Sequence, residues 1–228
     1  MQRDIPDLAK LNPLEVLPEI LKLSAAQSGQ LLNMSDIAAP FKITRQTIKS
    51  YLSLLQRVFL VDTLPAWYAI DIKRLVTTPK VHLTDTGLAA QLLAMNGSKL
   101  EADRKVLAPL LESFVYNELR RQASWVDEDV QFYHFRDKDQ YEVDIVIEHG
   151  GGDLIGVDVK AAASVNSKDF KGLRRLQTIS GSNFQLGLVF YDGDKVLSFG
   201  EQLFAVPISQ LWQAHAIKIH KDSSEARG

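Results

Sequence analysis

Two aspartates and a lysine on adjacent predicted strands are the residues of this sequence best placed to do chemistry. Residues 141–161 alternate in polarity on either side of three consecutive glycines, a pattern typical of a β-hairpin. With a three-residue turn, Asp144 lies opposite Asp158, and Glu142 and Lys160 form the next pair. Facing carboxylates repel one another, and a divalent cation between them would remove the repulsion. The hairpin therefore predicts a Mg²⁺ or Mn²⁺ site, with an ordinary solvated face as the alternative.

The two faces of this hairpin differ in polarity. Successive side chains of a strand point to opposite faces of the sheet. One face collects apolar residues and is predicted to meet the core: Val143, Ile145, Ile147, Ile155, Val157 and Val159. The other face carries the charged residues, so we predict that it meets solvent or the metal ion.

The spacing of the charged residues resembles the PD-(D/E)xK nuclease superfamily. The motifs stand here as Val143-Asp144 and, on the next strand, Asp158-Val159-Lys160. The resemblance implies that Asp144 and Asp158 hold the metal ion and that Lys160 orients or polarises the attacking water. A metal ion lowers the pKa of bound water and clamps phosphate oxygens. The resemblance therefore implies a metal-dependent phosphodiesterase.

A third carboxylate is expected from the helix that precedes the hairpin. On a helical wheel of residues 106–123, Glu118 falls near the middle of the apolar stripe and Glu112 falls at its edge. The superfamily takes an acidic residue from such a helix, and by motif position Glu112 is the closer match. We predict Glu112 as a metal ligand and keep Glu118 as the alternative. For either glutamate, a salt bridge to Arg120 or Arg121 is the simpler role.

The N-terminal half is predicted to be helical, with a surface for nucleic acid. Ser35 is expected to cap a short helix and Thr44 a longer one. Helix, short helix, helix and then two strands is a winged-helix pattern, whose second motif helix enters a major groove. The residues predicted to contact nucleic acid there are Thr44, Arg45, Gln46 and Lys49. The alternative is a docking or spacer module with an ordinary polar helix face.

Charge is distributed unevenly along a chain whose net charge is only −2. Residues 35–80 and 162–180 are basic, whereas residues 101–158, which contain most of the suspected metal site, are acidic. A helix capped by Ser167 is predicted to present four basic residues to nucleic acid: Lys168, Lys171, Arg174 and Arg175. This layout suits an enzyme that acts on nucleic acid, although a solvated face with no partner has the same composition.

Composition and missing motifs exclude several classes of function. The chain has 228 residues, of which 46% are hydrophobic, as in ordinary globular proteins. No apolar run is long enough to cross a membrane, and without cysteine neither disulfides nor thiolate metal sites can form. We expect a cytoplasmic protein. The sequence also lacks a zinc-binding histidine spacing and a serine nucleophile elbow. It has no G-x-x-x-x-G-K-[ST] loop to hold phosphates, so we predict no ATP site and no ATPase activity for this chain.

Nearly the whole chain resembles a widespread prokaryotic family of unknown function. The stretches that carry the resemblance are RDIPDL, TRQTIKSYLSLLQRVFLVDTLPAW, KRLVTTPKVHLTDTGL, LLESFVYNELRR, FRDKDQYEVDIVIE, GVDVKA, KGLRRL and VPISQLW. In that family this region usually forms the C-terminal half of proteins whose N-terminal half is an AAA-type ATPase. The resemblance implies an ATPase domain as a partner, and from Arg3 onward the sequence reads as the C-terminal piece of such a protein. The family more often has Glu where this chain has Asp158.

Together these patterns predict an α/β (α+β) chain of two domains. Residues 1–98 are expected to form a helical, winged-helix-like domain, and residues 99–228 a restriction-endonuclease-like (PD-(D/E)xK) domain with a disordered tail at 221–228. The predicted function is a nucleic-acid-binding, metal-dependent phosphodiesterase, with DNA as the expected partner and the choice between DNA and RNA left open. The alternative is a non-catalytic DNA- or protein-binding module with a degenerate nuclease fold. The sequence leaves the oligomeric state open.

Overall fold

The computed structural model describes residues 13–67, 75–127 and 129–213. The predicted disordered tail, the RDIPDL stretch and the start of the predicted second strand at residues 73–74 lie outside these ranges. Helices and strands both contribute to the fold, so the predicted α/β class is confirmed. In the part of the chain that the structure describes, no helix has the length and apolarity needed to cross a bilayer.

The elements follow one another in this order along the chain. The helices are α1 (Pro13–Ala26), α2 (Met34–Ala38), α3 (Arg45–Arg57), α4 (Thr86–Leu92), α5 (Gly97–Ala102), α6 (Arg104–Ala123) and α7 (Lys171–Ser180). The strands are β1 (Gln30–Leu31), β2 (Val61–Leu64), β3 (Lys80–Leu83), β4 (Val130–Arg136), β5 (Glu142–His149), β6 (Asp153–Lys160), β7 (Phe184–Tyr191), β8 (Leu197–Gly200) and β9 (Leu203–Pro207).

Polar side chains cap helices α2 and α3. Thr44 caps α3 as predicted, because its Oγ1 accepts a hydrogen bond from the backbone N–H of Thr47 at 3.2 Å. The prediction of Ser35 as the cap of α2 is wrong. Asn33 caps that helix, since its Oδ1 accepts hydrogen bonds from the backbone N–H groups of Ser35 and Asp36.

The small sheet is antiparallel, with strand order β1-β3-β2. Lys80 in the middle strand pairs with Leu31 on one side and with Leu64 on the other. Helices α1 to α4 pack with this sheet around an aliphatic core that includes Ile20, Ile48 and other buried side chains. The order of helices and strands agrees with the winged-helix pattern, and the winged-helix arrangement itself stays a prediction.

The large sheet has strand order β4-β5-β6-β7-β9-β8. Strands β4, β5 and β6 are antiparallel, whereas β6, β7 and β9 run parallel to one another. The predicted hairpin is β5-β6, and His149 pairs with Asp153 in the predicted register. Its turn, residues 150–152, has φ angles of 58°, 87° and 128°, which glycine adopts without steric cost.

Helices cover both faces of the large sheet. On one face α6 buries Val115 and Tyr116 with residues of β5 and β6. On the other face α7 packs Leu173 and Leu176 close to Gly156, where a side chain would collide with them. The prediction that the second face meets solvent is therefore wrong for most of its length. The end of the hairpin near Lys160 stays open.

A β-bulge in β5 changes the direction of its side chains. The register of β5 against β4 shifts by one residue, so that Asp144 and Ile145 both stand opposite His134. Val143 packs under α7 beside Phe135. The prediction that Val143 shares a face with Ile145 is wrong because the bulge separates them.

Helix α6 joins the two cores. Leu110 packs in the core of the small sheet, whereas Val115 and Tyr116 pack on the large sheet. The polar stretch 98–105, expected at the domain boundary, forms most of α5 and the start of α6. The predicted boundary at residue 98 stays a prediction.

Close packing of α7 on β5 can be tested at one glycine. A Cβ at Gly172 would overlap the backbone carbonyl of Glu142, which cannot rotate away. We expect Gly172→Ala to lower the free energy of unfolding by about 3 kcal/mol. Gly97→Ala is the control, because a Cβ there meets nothing within 4 Å and should change stability by less than about 1 kcal/mol. Urea unfolding measures both, and equal effects would contradict the close approach of α7 to β5.

Candidate functional site

A lysine ammonium lies among the carboxylates of the predicted site. Lys80 projects from β3 of the small sheet, and its side chain is only 1% exposed. Its Nζ lies 2.9 Å from Glu112 Oε1, 2.9 Å from Glu142 Oε1 and 3.1 Å from Asp144 Oδ1. An ammonium has three N–H donors and no acceptor, so three carboxylates match its full capacity. The carboxylate site thus contains a cation supplied by the chain itself.

Asp144 and Asp158 lie side by side where β5 and β6 separate. The paired register continues as far as Ile145 and Val157. Beyond this pair, the backbone N–H of Asp144 donates to Asp158 Oδ1 at 3.1 Å, and the backbone N–H of Val159 donates to Asp144 Oδ2 at 3.0 Å. Carboxylate oxygens thus take the place of carbonyl acceptors at the end of the ladder. Both aspartates are fixed in position as a result.

Asp158 and Lys160 line an open cleft of about 420 Å³. The cleft lies between the end of the β5-β6 hairpin and the start of α7. Its wall carries charges of both signs: Asp139, Glu142, Asp158, Lys160, Lys168, Asp169 and Lys171. Solvent and ligands can therefore reach the site from the side of Asp158 and Lys160, whereas Lys80 approaches it from the buried side.

Burial and mutual repulsion shift the pKa values of the carboxylates. Burial and the charge of Asp144 raise the pKa of Asp158 to about 8. The same two causes raise the pKa of Glu112 well above its usual range, against the opposing effect of Lys80. Burial alone would also raise the pKa of Asp144, but Lys80 and Lys160 outweigh it and lower the value. Lys80 and Lys160 therefore favour the ionised form of Asp144, whereas Asp158 keeps its proton to a higher pH than an ordinary carboxyl group does.

Lys80 remains charged despite its burial. Desolvation favours the neutral amine, but the charges of Asp144, Glu112 and Glu142 outweigh it and raise the pKa of Lys80 well above its ordinary value. The site therefore holds a permanent positive charge at physiological pH.

With Lys80 in this position, the carboxylates do not fit a divalent metal ion. Among the described residues, no three His, Cys, Asp or Glu side chains are arranged to hold one. Glu112 and Asp144 direct oxygens at the ammonium, and the second oxygen of Asp144 accepts from Val159. The structure places Glu112, Asp144, Asp158 and Lys160 near one another. Mg²⁺ or Mn²⁺ at Glu112, Asp144 and Asp158 stays a prediction.

Of the two candidate glutamates, Glu112 lies at the site. Glu118 forms a salt bridge with Arg121 one turn away on the same helix, which is the alternative role expected for it. Glu118 lies in the apolar stripe of the helical wheel, but its side chain is 17% exposed and its partner is on α6 itself, away from the site.

The predicted nucleic-acid-binding residues of the first half lie at the start of α3. Arg45, Gln46 and Lys49 are exposed, and Thr44 is exposed while it caps the helix. These side chains are available to a partner. Their contact with nucleic acid stays a prediction.

The four basic residues of the second half divide into two pairs. Lys168 and Lys171 are exposed at the cleft. Arg174 donates hydrogen bonds to the carbonyls of Ser167 and Phe199, at 2.7 and 3.0 Å. Arg175 donates to the carboxylate of Asp137 at 3.0 Å and lies over the ring of Tyr141. The two arginines hold segments of the chain itself, so only the lysines are free to meet a ligand in the cleft.

A network of polar side chains behind Lys80 joins the small sheet to α6, and the sequence analysis missed it. Its hydrogen bonds are Ser28–Ser113 (2.9 Å), His82–Ser113 (2.9 Å), Asn117–Leu83 carbonyl (2.8 Å) and Tyr116–Asp62 (2.7 Å). Ser113 and Asn117 lie on the inward side of α6, and buried polar groups need hydrogen-bond partners. Their positions in the sequence were the signal that could have predicted this network.

Two segments of the chain match families of unknown function. Residues 108–211 match the domain of unknown function DUF4143, and residues 1–99 match the domain of unknown function DUF8612. The first segment contains the four predicted site residues, and the second contains Lys80. The contacts of Lys80 therefore join the two matched segments.

Two curated relatives and one solved structure are distantly similar to this chain. The uncharacterized proteins Rv2008c of Mycobacterium tuberculosis and Mb2031c of Mycobacterium bovis are each 24% identical over 213 residues, 92% of this chain and 46% of theirs. The chain thus spans about half the length of these relatives. A chain from an assembly of Thermococcus gammatolerans McrB AAA+ hexamers with bound McrC has 12% identity and a TM-score of 0.31, over 84% of this chain and 70% of that chain. A likeness this low supports no argument.

Because His134 is buried, the free energy of unfolding should depend on pH. Its Nε2 lies 3.0 Å from the Thr78 carbonyl, and burial and the charge of Lys80 lower its pKa from 6.5 to about 4. Below pH 6.5 the unfolded chain therefore binds a proton that the folded chain does not, and stability falls as the pH is lowered. At pH 5 this histidine should cost about 2 kcal/mol relative to pH 7.

His134→Gln tests this effect, because glutamine can still donate to the Thr78 carbonyl but does not titrate. We expect the loss of unfolding free energy between pH 7 and pH 5 to shrink by about 2 kcal/mol in the variant. Urea unfolding at both pH values measures the difference. The same pH dependence in variant and wild type would show that His134 is not held neutral.

Proposed function

We propose that this chain is a non-catalytic, DNA-binding module that works with an AAA-type ATPase. Its core has the four residues of a nuclease-like site, but a cation of the chain lies among the carboxylates. The observation that carries the proposal is the ammonium of Lys80, within 2.9–3.1 Å of Glu112, Glu142 and Asp144. Binding without hydrolysis is the function that this geometry supports best.

Two exposed basic surfaces support a polyanionic ligand. Arg45, Gln46 and Lys49 lie at the start of α3, and a helix of this kind fits the major groove of a DNA duplex. Lys168 and Lys171 stand at the rim of the cleft. The cleft itself is lined by four acidic and three basic residues, so it supplies less attraction for phosphate than α3 does. We therefore assign the main DNA contact to α3.

The association with an ATPase rests on the family resemblance and on length. Regions that resemble this chain usually follow an AAA-type ATPase domain. The resembling family has no known function, and the match to the domain of unknown function DUF4143 is consistent with that resemblance. The curated relatives have about as much chain again outside the matched region. We propose that an ATPase domain is the partner on which this module acts.

DNA binding is tested by fluorescence anisotropy with a short labelled duplex in EDTA. We expect binding that weakens steeply with salt, because basic side chains release counterions from the phosphates. Arg45→Glu/Lys49→Glu should weaken binding by about tenfold or more. Lys99→Glu/Lys105→Glu makes the same change of charge at exposed positions on α5 and α6, and should weaken it much less. Equal losses in the two variants, or no binding by the wild type, would contradict a DNA site on α3.

A metal-dependent phosphodiesterase is the second candidate. It is favoured by the position of Asp158 and Lys160 on an open cleft beside Asp144. Wild-type protein incubated with duplex and single-stranded DNA and RNA in Mn²⁺ distinguishes the two functions. The binding module predicts no cleavage. Metal-dependent cleavage that disappears in both Asp158→Ala and Lys160→Ala would establish the phosphodiesterase, and cleavage that survives in both would contradict it.

A further inference from the structure

The residues of the nuclease-like site and the cation among them come from different parts of the fold. Glu112 lies on α6, and Glu142 and Asp144 lie on β5 of the large sheet. Lys80 belongs to the small sheet, and both edges of its strand are paired. Its backbone is therefore held by β1 and β2, independently of the carboxylates.

We propose that Lys80 is the resident cation of the nuclease-like site. Its ammonium excludes a divalent metal ion and holds the small sheet against α6 and β5. The site has the carboxylates of a metal centre, but the position of Lys80 among them does not fit a metal ion. This role of Lys80 does not depend on whether the chain binds DNA.

Charge balance at the site supports this role. The carboxylates in the cluster are Glu112, Glu142, Asp144 and Asp158, and the cations near them are Lys80, Lys160 and Arg136. Arg136 lies 3.4 Å from Glu142, and the positive charge of Lys160 acts on Asp144 and Asp158. Lys80 is the cation that contacts Glu112 and Asp144 together. Without its charge these two carboxylates would repel each other in a buried place, and a divalent ion would relieve that repulsion.

The same contacts fix how the two sheets lie against each other. Asn117 of α6 donates to the Leu83 carbonyl of β3, and Ser113 bonds His82 of the same strand. Lys80 extends this line of contacts to the carboxylates. The ammonium can leave the site only if its long side chain turns back into a tightly packed core or if β3 moves away from α6. Opening the site to a metal ion is therefore coupled to the position of the small sheet.

Titration calorimetry with Mn²⁺, in the absence of nucleic acid, tests the proposal. Lys80→Met removes the charge and keeps an unbranched side chain. We expect this variant to bind Mn²⁺ at least tenfold more tightly than the wild type, and to gain thermal stability from Mn²⁺ where the wild type gains none. Lys80→Met/Glu112→Gln removes a ligand as well and should lose the gain. Lys99→Met, an exposed control, should behave as the wild type does.

Two calorimetric results would overturn the proposal. One is that the wild type binds Mn²⁺ as tightly as Lys80→Met. The other is that folded Lys80→Met, checked by circular dichroism, does not respond to Mn²⁺. A purely structural lysine would destabilise the fold when replaced but would not create a metal response that depends on Glu112.

Labelling of the wild type keeps the proposal testable if Lys80→Met does not fold. An amine-reactive reagent followed by mass spectrometry should modify Lys80 at least tenfold more slowly than the exposed Lys99, with or without millimolar Mn²⁺. Labelling of Lys80 at the rate of Lys99, or a rise to that rate on adding Mn²⁺, would show that the ammonium does not hold the site against a metal ion. Failure here leaves DNA binding by α3 unaffected, so the two proposals are tested separately.

Discussion

The ion cluster around Lys80 is the interaction on which the arrangement of the two sheets depends. A buried ammonium is tolerated only when its donors are satisfied and its charge is balanced, because the loss of hydration is costly. Three carboxylates from α6 and β5 meet that requirement. Removing any one of these partners would leave one N–H donor of the buried ammonium without an acceptor. These contacts therefore favour one position of β3 relative to the β5-β6 hairpin.

This requirement accounts for the unusual polarity of α6. The helix serves two cores, with Leu110 in one and Val115 in the other, and its side toward the small sheet carries Ser113 and Asn117. Each of these polar residues has a partner on or beside β3. Hydrogen bonds have strict geometry, whereas apolar contacts allow sliding. A polar contact surface thus fixes the small sheet more precisely than an aliphatic one would, and Lys80 needs that precision to reach Glu112.

Local patterns in the sequence predicted what depends on local structure. The glycine turn and the alternation of residues 142–160 were enough for the hairpin register, and motif position was enough to place Glu112 at the site. Lys80 was missed because it lies 32 residues from Glu112 and 64 from Asp144, and a lysine in a short strand normally faces solvent. The bulge at Asp144 was missed for a similar reason, since it arises from pairing with β4 and leaves no mark in β5 itself.

The presence of nuclease-like carboxylates and the presence of a metal ion between them are separate physical questions. Lys80 is tethered, so it occupies the site without the entropy cost of association, and it is already desolvated in the folded chain. A magnesium ion carries twice the charge but must give up strongly held water. The balance between them depends on the negative charge around the site. A phosphate group at Lys160 would increase that charge and favour the divalent ion, whereas contacts that hold β3 against α6 favour the ammonium. A partner that moves the small sheet would therefore change which cation occupies a site that it does not touch.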